Sequence, residues 1–180
     1  MKKDLTELVF ILDRSGSMAG LESDTIGGYN ALLEKQKEET GEAVVTTVLF
    51  DDSYEILHDR IGLKGIAPIT KKDYFVRGST ALLDAIGKTI NKISRAQENT
   101  LPSERAERVI MVITTDGMEN ASREFGYAKV REMIEYQKER NGWEFIFLGA
   151  NIDAIETAGR FGIDADKAVN FHADGVGCRT

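Results

Sequence analysis

Three oxygen-bearing side chains stand at alternate positions in Asp13-Arg14-Ser15-Gly16-Ser17, directly after the apolar run Leu8-Val9-Phe10-Ile11-Leu12. Spacing of two lets a loop leaving a strand turn one carboxylate and two hydroxyls toward a single point, and Gly16 relieves the backbone strain of doing so. Hard cations such as Mg²⁺ take oxygen ligands in octahedral geometry and keep several waters. Two hydroxyls and a carboxylate are a partial set for such an ion. The same residue types also make an ordinary turn or helix N-cap. What separates the two readings is whether other strand ends supply the missing oxygens.

Two other segments do. "RVIMVITTDGMENAS" is a second strongly apolar run that ends in Thr114, Thr115, Asp116 and Gly117. "FVRGSTALLDAIGKTI" brings Gly78, Ser79 and Thr80 to the start of a helical pattern, where a threonine can cap the helix while offering its hydroxyl to the site.

Convergence of these loops depends on the elements that carry them. Apolar runs short enough for buried strands recur at 7–12, 43–50, 108–114, 143–150 and 167–172, and helical periodicity fills 24–40, 80–97, 126–140 and 153–161. Around Asp51-Asp52-Ser53 two strand-like runs are separated by too few residues for a helix, so the second returns antiparallel as an edge strand. The rest alternates strand with helix. That pattern predicts an α/β, Rossmann-like doubly wound fold, with a mostly parallel central sheet, one antiparallel edge strand and helices on both faces. Ligands in such sheets sit beyond the carboxyl ends of the strands, where the strand order reverses.

Asp13-x-Ser15-x-Ser17, then Thr80, then Asp116 after the next central strand, resembles the metal-ion-dependent adhesion site of von Willebrand factor A (vWA) domains. "RGSTALLDAIG" and "TTDGMENAS" are similar to bacterial members of that family, and the resemblance covers nearly the whole chain. It implies a site in which Ser15, Ser17 and often Thr80 touch a divalent ion while Asp13 and Asp116 act largely through water. The ion would be Mg²⁺, with Mn²⁺ or Ca²⁺ as substitutes. Neutral hydroxyls leave it much of its charge for an acidic residue of a partner protein. The resemblance further implies a binding module without catalysis, whose bacterial relatives often serve AAA+ ATPases or stress-response complexes.

Composition narrows the alternatives. A chain of 180 residues is expected to form one domain, 1–180. The net charge of −7 argues against binding nucleic acid or an anionic membrane. Cys178 is the only cysteine, so no intrachain disulfide is expected. Asp4 and Glu7 interrupt the N-terminal apolar run, which reads as a first strand and not as a signal peptide. The cytoplasm is the expected location. A Mg²⁺-dependent phosphohydrolase is the alternative function, although Ser15 stands where a haloacid-dehalogenase-type enzyme carries a second acid. No phosphate-binding glycine motif follows any strand.

The remaining polar residues read more plainly. Arg14 is expected to be a solvated loop arginine, with contact to an acidic partner as its alternative role. Asp84 fits equally a buttress of the threonine loop or a solvated helix face, and Glu119 and Asn120 are rim or turn residues. His58 and His172 are structural or exposed, Trp143 is core, and "KKDYF" is a solvated turn anchored by Tyr74 and Phe75. By the crossover rule the first helix stands nearly alone on its face, and the C-terminal helix usual in the family is expected to be missing. Self-association, a partner or further residues are then expected to cover the bare face.

Overall fold

The computed structural model describes residues 1–150 and 152–171. Its first strand, β1 (Lys2–Asp13), is buried continuously from Thr6 to Asp13, because both of its faces are covered. The remaining strands are β2 (Glu42–Phe50), β3 (Tyr54–Gly62), β4 (Ala106–Thr115), β5 (Glu144–Ala150) and β6 (Ala168–Phe171). Their order in the sheet is β3-β2-β1-β4-β5-β6. β2 pairs antiparallel with β3, and every other neighbouring pair is parallel. The order reverses between β1 and β4, so a crevice opens at the carboxyl ends of these two strands, where Asp13 and Asp116 stand.

Among the described residues four α-helices cover the sheet: α1 (Glu22–Glu38), α2 (Leu82–Glu98), α3 (Tyr127–Asn141) and α4 (Ala154–Arg160). One face of β1 and β4, through Val9, Ile11, Met111 and Ile113, packs against apolar residues of α2, α3 and α4. Leu8, Phe10, Leu12, Ile110 and Val112 on the other face meet Tyr29 and Leu33 of α1. Trp143 belongs to the first of these cores, as expected. α1 is the one α-helix on its face among the described residues, yet it is less alone than the crossover argument predicts. The irregular segment after β3 lays Leu63, Ile66, Ile69 and Tyr74 beside it. Ile146 and Leu148 on the same face remain partly buried.

Among the described residues no helix is long and apolar enough to cross a membrane. His172, Cys178 and the expectation about a C-terminal helix lie outside the described residues.

Candidate metal centre

Three loops meet at the crevice, and backbone hydrogen bonds join them. The first follows β1: Gly16 N–H donates to the Gly78 carbonyl at 2.9 Å, and the Arg14 carbonyl accepts from Arg77 N–H at 2.8 Å. The second loop, 76–81, is braced from its other side by the β2–β3 hairpin, where the Asp51 carbonyl accepts from Ala81 N–H and the Asp51 carboxylate accepts from Arg77 Nε, both at 2.8 Å. Gly78 has φ +66°, and a Cβ there would stand 2.5 Å from Asp52 Oδ1 and 2.7 Å from Asp51 Oδ2. Only glycine fits so close to two carboxylates. The third loop follows β4 and is tied to the second by Asn120 and Ala121 N–H, each donating to the Thr80 carbonyl at 2.9 Å.

The five residues singled out from the sequence lie on these three loops. Asp13 is fully buried, Ser15 and Thr80 nearly so, and Asp116 is 9% exposed, whereas Ser17 is open to solvent. The Ser15 and Ser17 hydroxyls are 3.0 Å apart. Asp13 Oδ1 accepts from Ser15 N–H at 2.8 Å, and Oδ2 accepts from the Thr115 hydroxyl at 2.7 Å. Asp116 Oδ1 accepts from Met118 N–H at 3.0 Å, which turns the chain away from β4. Burial pushes the Asp13 carboxyl up to about 6, against the pull of its hydrogen bonds from Ser15 and Thr115, and the Asp116 charge adds to the rise.

This donor set fits a hard divalent cation. Among the described residues no three His, Cys, Asp or Glu side chains cluster as a metal site. Here the oxygens are instead mostly hydroxyl, with two carboxylates whose mutual repulsion a cation would relieve.

Several neighbours differ from expectation. Arg14 is not solvated: it is 1% exposed, its guanidinium lies 5.4 Å from the Phe75 ring centroid, and one terminal nitrogen donates to Glu55 Oε2 at 2.6 Å. Glu55 of β3 and Phe75 enclose it from distant parts of the chain. Tyr74, by contrast, anchors its turn as expected: Lys71 and Lys72 are exposed while Tyr74 is fully buried, and its hydroxyl donates to the Asp13 carbonyl. Thr80 does not cap α2. The helix starts after Ala81 without a side-chain cap of its own. Asp84 is buried as a buttress of the third loop and not of the threonine loop, its carboxylate accepting from the backbone N–H groups of Arg123, Glu124 and Phe125.

Removing the Tyr74 hydroxyl with Tyr74→Phe keeps the ring and leaves the Asp13 carbonyl short of a donor. We expect a loss of about 1–2 kcal/mol in urea unfolding. A variant as stable as wild type would show that the bond carries no net stabilisation.

No protein-family model matches the sequence, and no curated protein matches it. Solved structures do. The manganese-loaded TRAP protein of Plasmodium vivax is similar with a TM-score of 0.59 and 19% identity, over 83% of this chain and 58% of that one. The ArnB paralog VWA2 of Sulfolobus acidocaldarius gives 0.54 and 20% over 92% of this chain and 40% of that one. For the pilus adhesin SpaC of Lactobacillus rhamnosus GG, in its open conformation, the values are 0.68 and 12% over 98% and 29%. The chain has a vWA-like fold. It spans 58% or less of the length of each of these three proteins. At such identities the likeness concerns the fold. Within this vWA-like fold the candidate centre occupies the switch point between β1 and β4, the position that the topology alone assigns to a ligand.

Proposed function

We propose that this vWA-like chain is a metal-dependent protein-binding module. Asp13, Ser15, Ser17, Thr80 and Asp116 hold one Mg²⁺, replaceable by Mn²⁺ or Ca²⁺, and an acidic side chain of a partner protein completes its coordination. The observation that carries this reading is the pairing of Ser15 and Ser17 hydroxyls 3.0 Å apart at the solvent edge of a buried carboxylate. Bound there, the cation supplies an electrophilic position for a carboxylate oxygen. Ser15 and Ser17 offer neutral oxygens, so they neutralise little of its charge. Asp13, held by Ser15 and Thr115, balances charge from behind. Ser17, being exposed, faces the side from which a partner approaches.

A groove of about 690 Å³ beside the second loop, whose lining mixes Lys88 and Arg123 with Asp52, Asp84 and Glu124, leaves room for residues flanking the partner's acid. The partner classes drawn from the family resemblance are AAA+ ATPases and stress-response complexes, and the reading assigns no catalysis. A phosphohydrolase gains nothing from the geometry, since Ser15 stands where the second acid of such an enzyme is needed.

Capture of partner proteins on the immobilised chain, in Mg²⁺ and in EDTA, tests the reading. We expect proteins retained in Mg²⁺ to be released by EDTA, while circular dichroism stays unchanged because the core is built from the apolar strands. Retention that is indifferent to chelation would sink the metal-dependent mode. Unfolding in EDTA would make the ion structural.

A further inference from the structure

α2 has no N-cap of its own, yet its first N–H groups are not left without acceptors. Leu83 N–H donates to Glu119 Oε1 at 2.8 Å, and Asp84 N–H donates to the Ser122 hydroxyl oxygen at 3.0 Å. The cap therefore comes from the third loop, 36 and 38 residues further along the chain. Glu119 also shapes that loop from within, because its Oε2 accepts from Ala121 N–H at 3.1 Å and Ser122 N–H at 2.9 Å. The connection runs in both directions. Asp84, in the first turn of α2, accepts from Arg123, Glu124 and Phe125 N–H at 2.8–3.0 Å. Beyond it, the Phe125 ring packs over Gly87, where an added Cβ would stand 2.6 Å from the ring.

Thr80 sits between these ties. Its N–H donates to Asn120 Oδ1 at 2.8 Å, and its carbonyl accepts from Asn120 N–H at 2.9 Å. Both polar groups of the Thr80 backbone are thus held by one residue of the loop that starts at Asp116. Two hydrogen bonds to a single partner fix the direction in which the Thr80 side chain leaves the backbone.

We propose that Glu119 and Asn120 are positioning residues that clamp the loop after β4 onto α2 and so set Thr80 against Asp116 before any cation arrives. This inference rests on the metal-binding reading above and adds to it how the site is organised. An oxygen set held in place in the free protein takes up a cation without ordering a loop, so the ordering cost is met during folding. Loss of the clamp leaves Thr80 free to swing away, and water then takes its place on the cation.

The test uses the full chain with Mn²⁺ as probe, read by calorimetry and by water-proton relaxation, together with amide hydrogen exchange on the metal-free protein. In Asn120→Ala we expect Mn²⁺ to bind about tenfold more weakly, the loss of one well-placed hydrogen bond expressed as affinity. Relaxation per bound Mn²⁺ should rise as water replaces Thr80, and exchange at the Thr80 amide should speed up. Asn120→Asp keeps the accepting oxygen and should restore slow exchange and wild-type relaxation. Glu119→Gln, which sets an amide where a carboxylate accepted from Leu83, Ala121 and Ser122, should show the same pattern as Asn120→Ala with thermal unfolding shifted by only a few degrees. Should Asn120→Ala and Glu119→Gln bind Mn²⁺ with unchanged affinity and relaxation while wild type binds normally, the clamp is overturned and the metal site stands. A wild-type chain that takes up no Mn²⁺ overturns both.

Discussion

Replacing Ser15 and Ser17 together by alanine is expected to abolish measurable Mg²⁺ and Mn²⁺ binding while leaving the metal-free protein as stable as wild type. The two halves of this outcome have separate physical grounds. The hydroxyls lie 3.0 Å apart and hydrogen-bond to each other, so removing both leaves neither one stranded, and Asp13, which loses the Ser15 hydroxyl, keeps the Ser15 N–H and the Thr115 hydroxyl as donors. Deleting a matched pair is close to neutral, within about 0.5 kcal/mol, whereas deleting one partner of a buried pair is not. Binding loses two of the neutral oxygens that face the cation, and the carboxylates that remain are tied to backbone and side-chain donors. We expect affinity to fall by at least about a hundredfold, if each lost oxygen is worth roughly a hydrogen bond to a charged group. Calorimetry of Mn²⁺ into both proteins measures the loss, and thermal unfolding with and without the ion gives a second reading through linkage. Wild type should melt higher in Mn²⁺ and the double variant should not. Identical titrations would remove Ser15 and Ser17 from the site, and the metal assignment with them.

The fold was readable because it is written in local pattern. Apolar runs of strand length alternate with helical periodicity, and Asp51-Asp52-Ser53 leaves no room for a crossover, so the one antiparallel pair follows. That the five candidate residues stand on loops at one end of the sheet was readable for the same reason, since each follows a strand or precedes a helix. What surrounds them was not, because it is made by residues far apart in the chain. Arg14 reads as a loop arginine until Glu55 and Phe75 close over it, 41 and 61 positions later. Thr80 reads as the cap of α2, yet Glu119 takes that role from the loop after β4, and the helix itself starts after Ala81. Asp84 marks the limit of pattern reading. Its spacing from Thr80 allows a buttress or a solvated face equally, and only the arrival of Arg123, Glu124 and Phe125 N–H groups decides between them.

Glu7 shows the same limit in the core, and it carries the largest effect on stability that we expect. In sequence it breaks the first apolar run as a charged residue should, yet in the sheet it is fully buried. Arg60 of β3 holds it in a forked pair, with Nε donating to Oε2 at 3.0 Å and a terminal nitrogen to Oε1 at 2.9 Å. Gln97 at the end of α2 adds a bond to Oε1 at 2.8 Å. Arg60 reaches this position from a backbone with φ 51°, next to a register shift between β2 and β3. The bulge re-aims the side chain across β2 toward β1. Arg60→Ala therefore leaves a buried carboxylate with Gln97 alone, and breaking a buried pair from one side costs about 3–5 kcal/mol. We expect the low end, roughly 3 kcal/mol, because Gln97 keeps its bond and the space vacated by Arg60 admits water. Urea unfolding at pH 7 measures it. Glu7→Leu combined with Arg60→Met removes both charges and should recover most of the loss, since apolar residues of similar size replace a buried pair at little or no cost. A single Arg60→Ala variant within about 0.5 kcal/mol of wild type, the range of an ordinary surface substitution, would show that Glu7 does not depend on its partner.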